Sequence, residues 1–200
     1  MAKANWVKVN PSTGSGNATV NVSSTAAHTG RNARSTTLTW KAANVADQTR
    51  TVSQAGKPEY VDIADTAAAD KAGKVVTISG TSNSAKLTFS LGTGDLSITL
   101  PSSYTANSAT TSNGAAISGD PGAAAEYNFS IAITVPANTG ISALSRQIIV
   151  TNEAGQKDTC TLTLAAGDAY VTIASGTIEL GWEGTPVSVA VQSNTTWEIV

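Results

Sequence analysis

This chain has little charge and almost no sulfur. Charged residues make up 13% of its 200, about half the usual share, and the formal net charge is −2. A balance so near neutral gives no electrostatic reason to seek nucleic acid or an anionic membrane surface. No 18-residue apolar run occurs, so no membrane-spanning helix is expected. Met1-Ala-Lys-Ala-Asn-Trp6 lacks the apolar stretch of a secretory signal, and none is expected. The single cysteine, Cys160, rules out a disulfide within the chain; it alternates in phase with Leu162 and Leu164, the pattern of a buried strand residue. His28 is the one histidine, alone on a polar loop, so no Cys or His cluster offers a transition-metal site. Asp62, Asp65 and Asp70 lack the spacing of a calcium loop and are expected as solvated turn residues. Phosphate-loop, GxSxG and HExxH patterns are missing too. Glutamate occurs only at 59, 126, 153, 179, 183 and 198, mostly at strand ends or turns, which makes paired glycosidase carboxylates the least favoured reading. The expectation is a chain without catalytic residues, metal or cofactor.

What is present is hydroxyl and alternation. Ser and Thr together make 51 of 200 residues, and apolar residues recur with period two almost everywhere. The first part offers about four strands, from Trp6-Val-Lys-Val9, Ala18 to Val22, Leu38 to Trp40 and Thr51-Val-Ser53. Seven more fall at 60–63, 75–78, 87–91, 96–100, 127–135, 147–150 and 159–164, and four in the last part at 170–173, 178–182, 187–191 and 197–200. Short strands separated by Gly, Pro, Asn and Ser clusters predict an all-β chain of immunoglobulin-like antiparallel β-sandwiches.

The chain also repeats itself. Tyr60-Val61 matches Tyr170-Val171, Gly73 matches Gly184 and Ser82-Asn83 matches Ser193-Asn194, at offsets of 110 to 111 residues. Gly56 falls 111 before Gly167, and Arg34 falls 112 before Arg146. A period this long predicts tandem domains. The expected organisation is one complete unit at 57–167, flanked by the rear half of a unit at 1–56 and the front half of another at 168–200. The two end pieces hold 89 residues against 111 in the middle, a difference placed mostly in an enlarged loop at 102–124. All four tryptophans, Trp6, Trp40, Trp182 and Trp197, lie in the end pieces.

Trp6-Val-Lys-Val-Asn-Pro-Ser-Thr-Gly-Ser-Gly-Asn-Ala-Thr-Val-Asn-Val22, then Arg34 and a closing Val52-Ser-Gln-Ala-Gly56, resemble the rear half of a BACON domain, the Bacteroidetes-associated immunoglobulin-like module. Gly184, Val187-Ser-Val-Ala-Val191, Ser193-Asn194 and Trp197 are similar to its front half. The middle unit resembles the module more weakly, since it lacks Trp and carries the enlarged loop. The resemblance implies a seven-stranded sandwich with glycan-associated or spacer roles, in surface proteins of gut bacteria or in virions of their crAss-like phages. Bacterial members usually follow a signal peptide or lipobox. The absence of both here favours a virion component made in the host cytoplasm over an extracellular or cell-surface protein.

Half a sandwich exposes an apolar face and open strand edges, so something must complete it. The rear piece precedes the middle unit and the front piece follows it, which sends them to opposite poles. Completion between chains is therefore favoured: the expected partners are the chain itself, joined head to tail, and other virion proteins, through Trp6, Trp182, Val189, Val191, Trp197 and Ile199. The function expected is that of a structural virion protein, an auxiliary or decoration protein of the capsid. The alternative is a carbohydrate-binding module for host-surface or mucin glycans, with Trp40, Tyr104, Asn107, Asn113 and Asp120 as candidate glycan-binding residues.

Overall fold

The structure, a computed structural model, describes residues 3–174 and 176–200. It is all-β. Two sheets carry the central core. One has five strands in the order β10 (Ala109–Ser112), β9 (Ser103–Ala106), β11 (Tyr127–Val135), β7 (Lys74–Ser82) and β5 (Val61–Ile63). The other has β6 (Thr66–Ala69), β13 (Lys157–Leu164), β12 (Leu144–Asn152) and β8 (Leu87–Gly94). Neighbours are antiparallel except β6 and β13, which run parallel.

Alternation along the strands makes the core. On β11, Tyr127, Phe129, Ile131, Ile133 and Val135 all turn inward, and Ile148, Val150, Cys160, Leu162 and Leu164 meet them from the facing sheet. Phe89 lies at the centre, its ring centroid 5.0 Å from that of Tyr104 and 5.9 Å from that of Phe129. Gly80 stands opposite Phe129 in the ladder, where a Cβ would lie 2.4 Å from the ring's Cζ. The glycine makes room for the aromatic.

The end pieces form hairpins of their own. β1 (Val7–Asn10) pairs with β2 (Asn21–Ser24), and β3 (Arg34–Ala42) pairs with β4 (Val45–Gln54). At the other end β14 (Val171–Ile173) pairs with β15 (Val191–Ser193). The runs 178–182 and 197–200, expected as strands, form none, and of 187–191 only Val191 joins a ladder. A strand needs a partner edge, and among the described residues these segments have no neighbour to supply one.

Three further segments differ from the sequence reading. Thr66-Ala-Ala-Ala69 forms β6 despite weak β propensity, because β13 provides the ladder. The loop at 102–124 folds into the β9–β10 hairpin and a single 3-10 turn at Pro121–Ala123. Its tight turn places Asn107 and Ser108 at φ 47° and 64° without a glycine, so the usual hairpin signal is missing. Leu96 anchors in the core, but the segment from it to Leu100 joins no ladder.

The ladders of the first piece and of the central unit share one register. Arg34↔Gln54 in β3–β4 superposes on Leu144↔Leu164 of β12–β13 at an offset of 110, two residues before the sequence match of Arg34 with Arg146. Both arginines reach the segment ahead of a proline, Pro11 in one case and Pro101 in the other. The Arg34 guanidinium lies 4.6 Å over the Trp6 ring, and Arg146 donates from Nε to the Leu96 carbonyl at 2.8 Å.

Cys160 is fully buried, and burial, with Asp65 and Asp158 nearby, pushes its thiol up to about 11. The folded chain should therefore resist a thiol reagent at pH 8 and take up one equivalent only after unfolding in denaturant. Rapid labelling of the native protein would contradict this packing.

Candidate functional site

The joints between the central sandwich and its end pieces are built from the same parts. At the first joint Asn83, fully buried at the end of β7, accepts the Tyr60 N–H at 2.9 Å and donates from Nδ2 to the carbonyls of Thr29, Lys57 and Pro58 at 3.2 to 3.3 Å. Ser82 Oγ donates to the Tyr60 carbonyl and accepts the Ser84 N–H. At the second joint Asn194 accepts the Tyr170 N–H at 2.9 Å and donates to the carbonyls of Thr139 and Asp168. Ser193 Oγ donates to the Tyr170 carbonyl and accepts the Thr195 N–H. Thr29 and Thr139 play one role 110 residues apart, and Asn83 and Asn194 another at 111.

Two further features recur. Val61↔Ser82 and Ile63↔Gly80 in β5–β7 reappear as Val171↔Ser193 and Ile173↔Val191 in β14–β15. The turn in which Gly73 N–H bonds the Asp70 carbonyl at φ 70° returns as Gly184 N–H on the Gly181 carbonyl at φ 71°.

The first joint holds more than the asparagine. Arg31 pairs with both carboxylate oxygens of Asp120 and donates to the Asn83 carbonyl, and Asn32 N–H bonds the Ala123 carbonyl. The second is lighter, with Lys71 paired to Asp168 and Gly167 N–H on the Gly140 carbonyl. The first joint gathers at Ser82 and Asn83, just past the C-terminal end of β7, and the second around Lys71, ahead of its start. Nine residues of β7 separate the joints, about 30 Å at roughly 3.3 Å each. No hydrogen bond joins 168–200 to 3–54 among the described residues.

Beyond the joints lie open surfaces. β2 has β1 on one edge only, β3–β4 and β14–β15 are isolated pairs, and their outer edges are unpaired among the described residues. Val7 and Leu38 are buried, but Val22 and Trp40 are open. The C-terminal piece exposes nearly all its apolar residues, with Trp182 at 95% and Ile199 at 85%. Val189 and Trp197 are exposed as well, Val191 is half-buried, and Trp6 is half-buried under Arg34.

The candidate glycan residues do not converge. Tyr104, expected among the glycan-binding residues, is 3% exposed in the core beside Phe89, because the β9–β10 hairpin folds it under the sheet. Asn113 is occupied as a strand surrogate, its Oδ1 accepting Phe89 N–H and its Nδ2 donating to the Phe89 carbonyl. Asp120 is committed to Arg31. Asn107 sits at the hairpin turn. Trp40 keeps an open ring but lies on the same side of β3 as buried Leu38, two residues away. The grip of Asn83 and the Arg31–Asp120 pair were not anticipated; the matched Thr29-Gly30 and Thr139-Gly140, at offset 110, are the signal that could have located the joints. Among the described residues no group of three His, Cys, Asp or Glu is placed to hold a metal ion.

No family model matches the sequence, and no curated protein matches it. Among solved structures the chain is similar to an endo-fucoidan hydrolase from glycoside hydrolase family 107, at 11% identity and a TM-score of 0.32. The likeness covers 83% of this chain and 22% of that one. So distant a likeness assigns neither fold nor activity.

Two pairs of substitutions test the packing and the joints. Tyr104 Oη is buried with no hydrogen-bond partner among the described residues, so Tyr104→Phe should leave stability unchanged or raise it, whereas Tyr104→Ala should cost about 3–5 kcal/mol. Asn83→Ala orphans several buried groups at about 1–3 kcal/mol each, and should cost more than Asn194→Ala at the half-buried joint. Urea unfolding of the four variants reads both comparisons.

Proposed function

We infer that this chain is a non-enzymatic structural subunit that assembles head to tail, the front half-sandwich at 168–200 of one copy completing the rear half at 1–56 of the next. One observation carries the reading: two apolar, edge-open pieces, repeating complementary parts of the central sandwich, sit at opposite ends of β7. Open edges with an apolar face are a liability that proteins cover. A head-to-tail contact generates a closed ring or an open filament. With the BACON-type resemblance, the setting we favour is a phage virion, where such a subunit serves as an auxiliary or decoration protein of the capsid.

A carbohydrate-binding role would need an exposed aromatic platform with polar groups around it. Trp40 is the one candidate with an open ring, and it belongs to the apolar face that assembly would cover.

Light scattering of the purified chain over a hundredfold concentration range tests the proposal. The expected result is a defined multimer, or a mass that grows with concentration, and a shift to monomer in Val189→Asp, which places a charge on the face to be buried. A monomer at every concentration would overturn shared halves. Saturable binding to a glycan array by a monomeric chain, lost in Trp40→Ala, would favour the carbohydrate reading instead.

A further inference from the structure

The central sandwich contains the joint that two copies would make, already formed. β14–β15 repeats β5–β7 and β3–β4 repeats β12–β13 in register. The contacts of β11 with β7, of β13 with β6 and of β12 with β8 can therefore be carried over to the open edges. For β2 the match of Ala18-Thr-Val20 with Tyr127-Asn-Phe129 sets the offset from β11 at 109, and it puts Val22, opposite Val9, on the face that buried Val7 shares.

Resting on the head-to-tail reading above, we propose that a second copy of this chain docks its 177–200 segment on the 1–56 piece in one register: Val189 opposite Val22 on β2 and Val191 opposite Val20 just ahead of it, Ile178 beside Val52 on β4, and Ile199 opposite Trp40 on β3. β15 and the run before it extend antiparallel along the free edge of β2, as β7 does along β11. Residues 177–180 lie parallel to β4, as β6 does to β13.

Side-chain character at the matched places fits this register. In the central unit Phe129 faces Gly80; at the corresponding place Val20 faces Val191, the large–small pair becoming two of medium size. Val150 faces Phe89 in the central unit, and Trp40 faces Ile199 here, so the aromatic changes sides while the pair stays bulky. Leu162 beside Ala67 becomes Val52 beside Ile178. Ile131 facing Ile78 becomes Val22 facing Val189. Such compensation is what a close-packed core requires of two surfaces that meet. A register one residue away would turn Val189 and Val191 out and Ala190 inward, since β1 already fixes the face of Val22. The two halves cannot meet within one chain while each joint holds its piece at its own end of β7, which makes the occupant a second copy.

Paired cysteines read the register directly. Val22 and Val189 are both exposed in the single chain, so Val22→Cys and Val189→Cys should fold normally. Directly opposite strand residues lie close enough for a disulfide under mild oxidation. Mixing the two single variants should yield a covalent dimer on non-reducing gels, and the Val22→Cys/Val189→Cys double variant should yield a ladder of multimers. The control pair Asn21→Cys with Val189→Cys, pointing to opposite faces, should link at least tenfold less. A multimer by light scattering that links through the control pair, or through neither pair, would overturn the register and leave head-to-tail assembly standing. A double variant that links only as monomer would overturn the second copy as occupant. A monomer with no link at all would overturn both.

Discussion

The geometry of this molecule depends on a buried carboxamide. Asn83 is fully enclosed and has both ends engaged, its oxygen by Tyr60 N–H and its amide by three carbonyls of the preceding piece and linker. A buried polar group left unpaired costs about 1–3 kcal/mol, so a satisfied one also specifies where its partners must be. Here the partners are Thr29, Lys57 and Pro58. The asparagine therefore fixes how the first piece leaves the sandwich, and Arg31 on Asp120 adds a second point of attachment. The same atoms recur at Asn194, so the chain enters and leaves its central unit by one kind of joint.

Rigid joints hold the end pieces away from each other, and that sets up the second constraint. Apolar side chains at 178–199 gain about 1.5–3 kcal/mol each on full burial. Association costs roughly 4–15 kcal/mol before any surplus appears. If the proposed contact forms, six such residues would give a gain of the same order as that cost. The low charge of the chain fits this arrangement, since neither face sets a like-charge barrier against the other.

Much of this was legible in the sequence, for a physical reason: period-two alternation reports which face of a strand is buried whatever the topology. The inward residues of β11 and β13 follow from it, as does Cys160 between them. The repeat was legible because backbone demands recur with it; Gly73 and Gly184 both need positive φ, and Ser82-Asn83 and Ser193-Asn194 both serve a joint. What escaped was set by long-range contact. Thr66-Ala-Ala-Ala69 is a strand only because β13 offers an edge, and Tyr104 is core only because a glycine-free hairpin turns it under. Arg31 and Asp120, 89 positions apart, carry no local sign of their pairing. The segments at 178–182 and 197–200 show the converse, a strand pattern without a strand, where the missing quantity is a partner edge.

A chain that repeats its joint also repeats its direction. If the composite sandwich forms as the central one does, each junction along an assembly is one of the two Asn–Ser joints, and these share their donors, acceptors and turn. Successive sandwiches would then be related by nearly one rotation and one translation, whether the junction lies within a copy or between copies. A relation of that kind winds a regular helix, and closes to a ring only where the rotation divides the circle with no net rise. In such an assembly the first joint, with Arg31 on Asp120, would be held by more contacts than the Asn194 joint, and bending would fall mainly on the latter. Stiffness and compliance would alternate along the assembly, set by which joint carries the ion pair behind its asparagine.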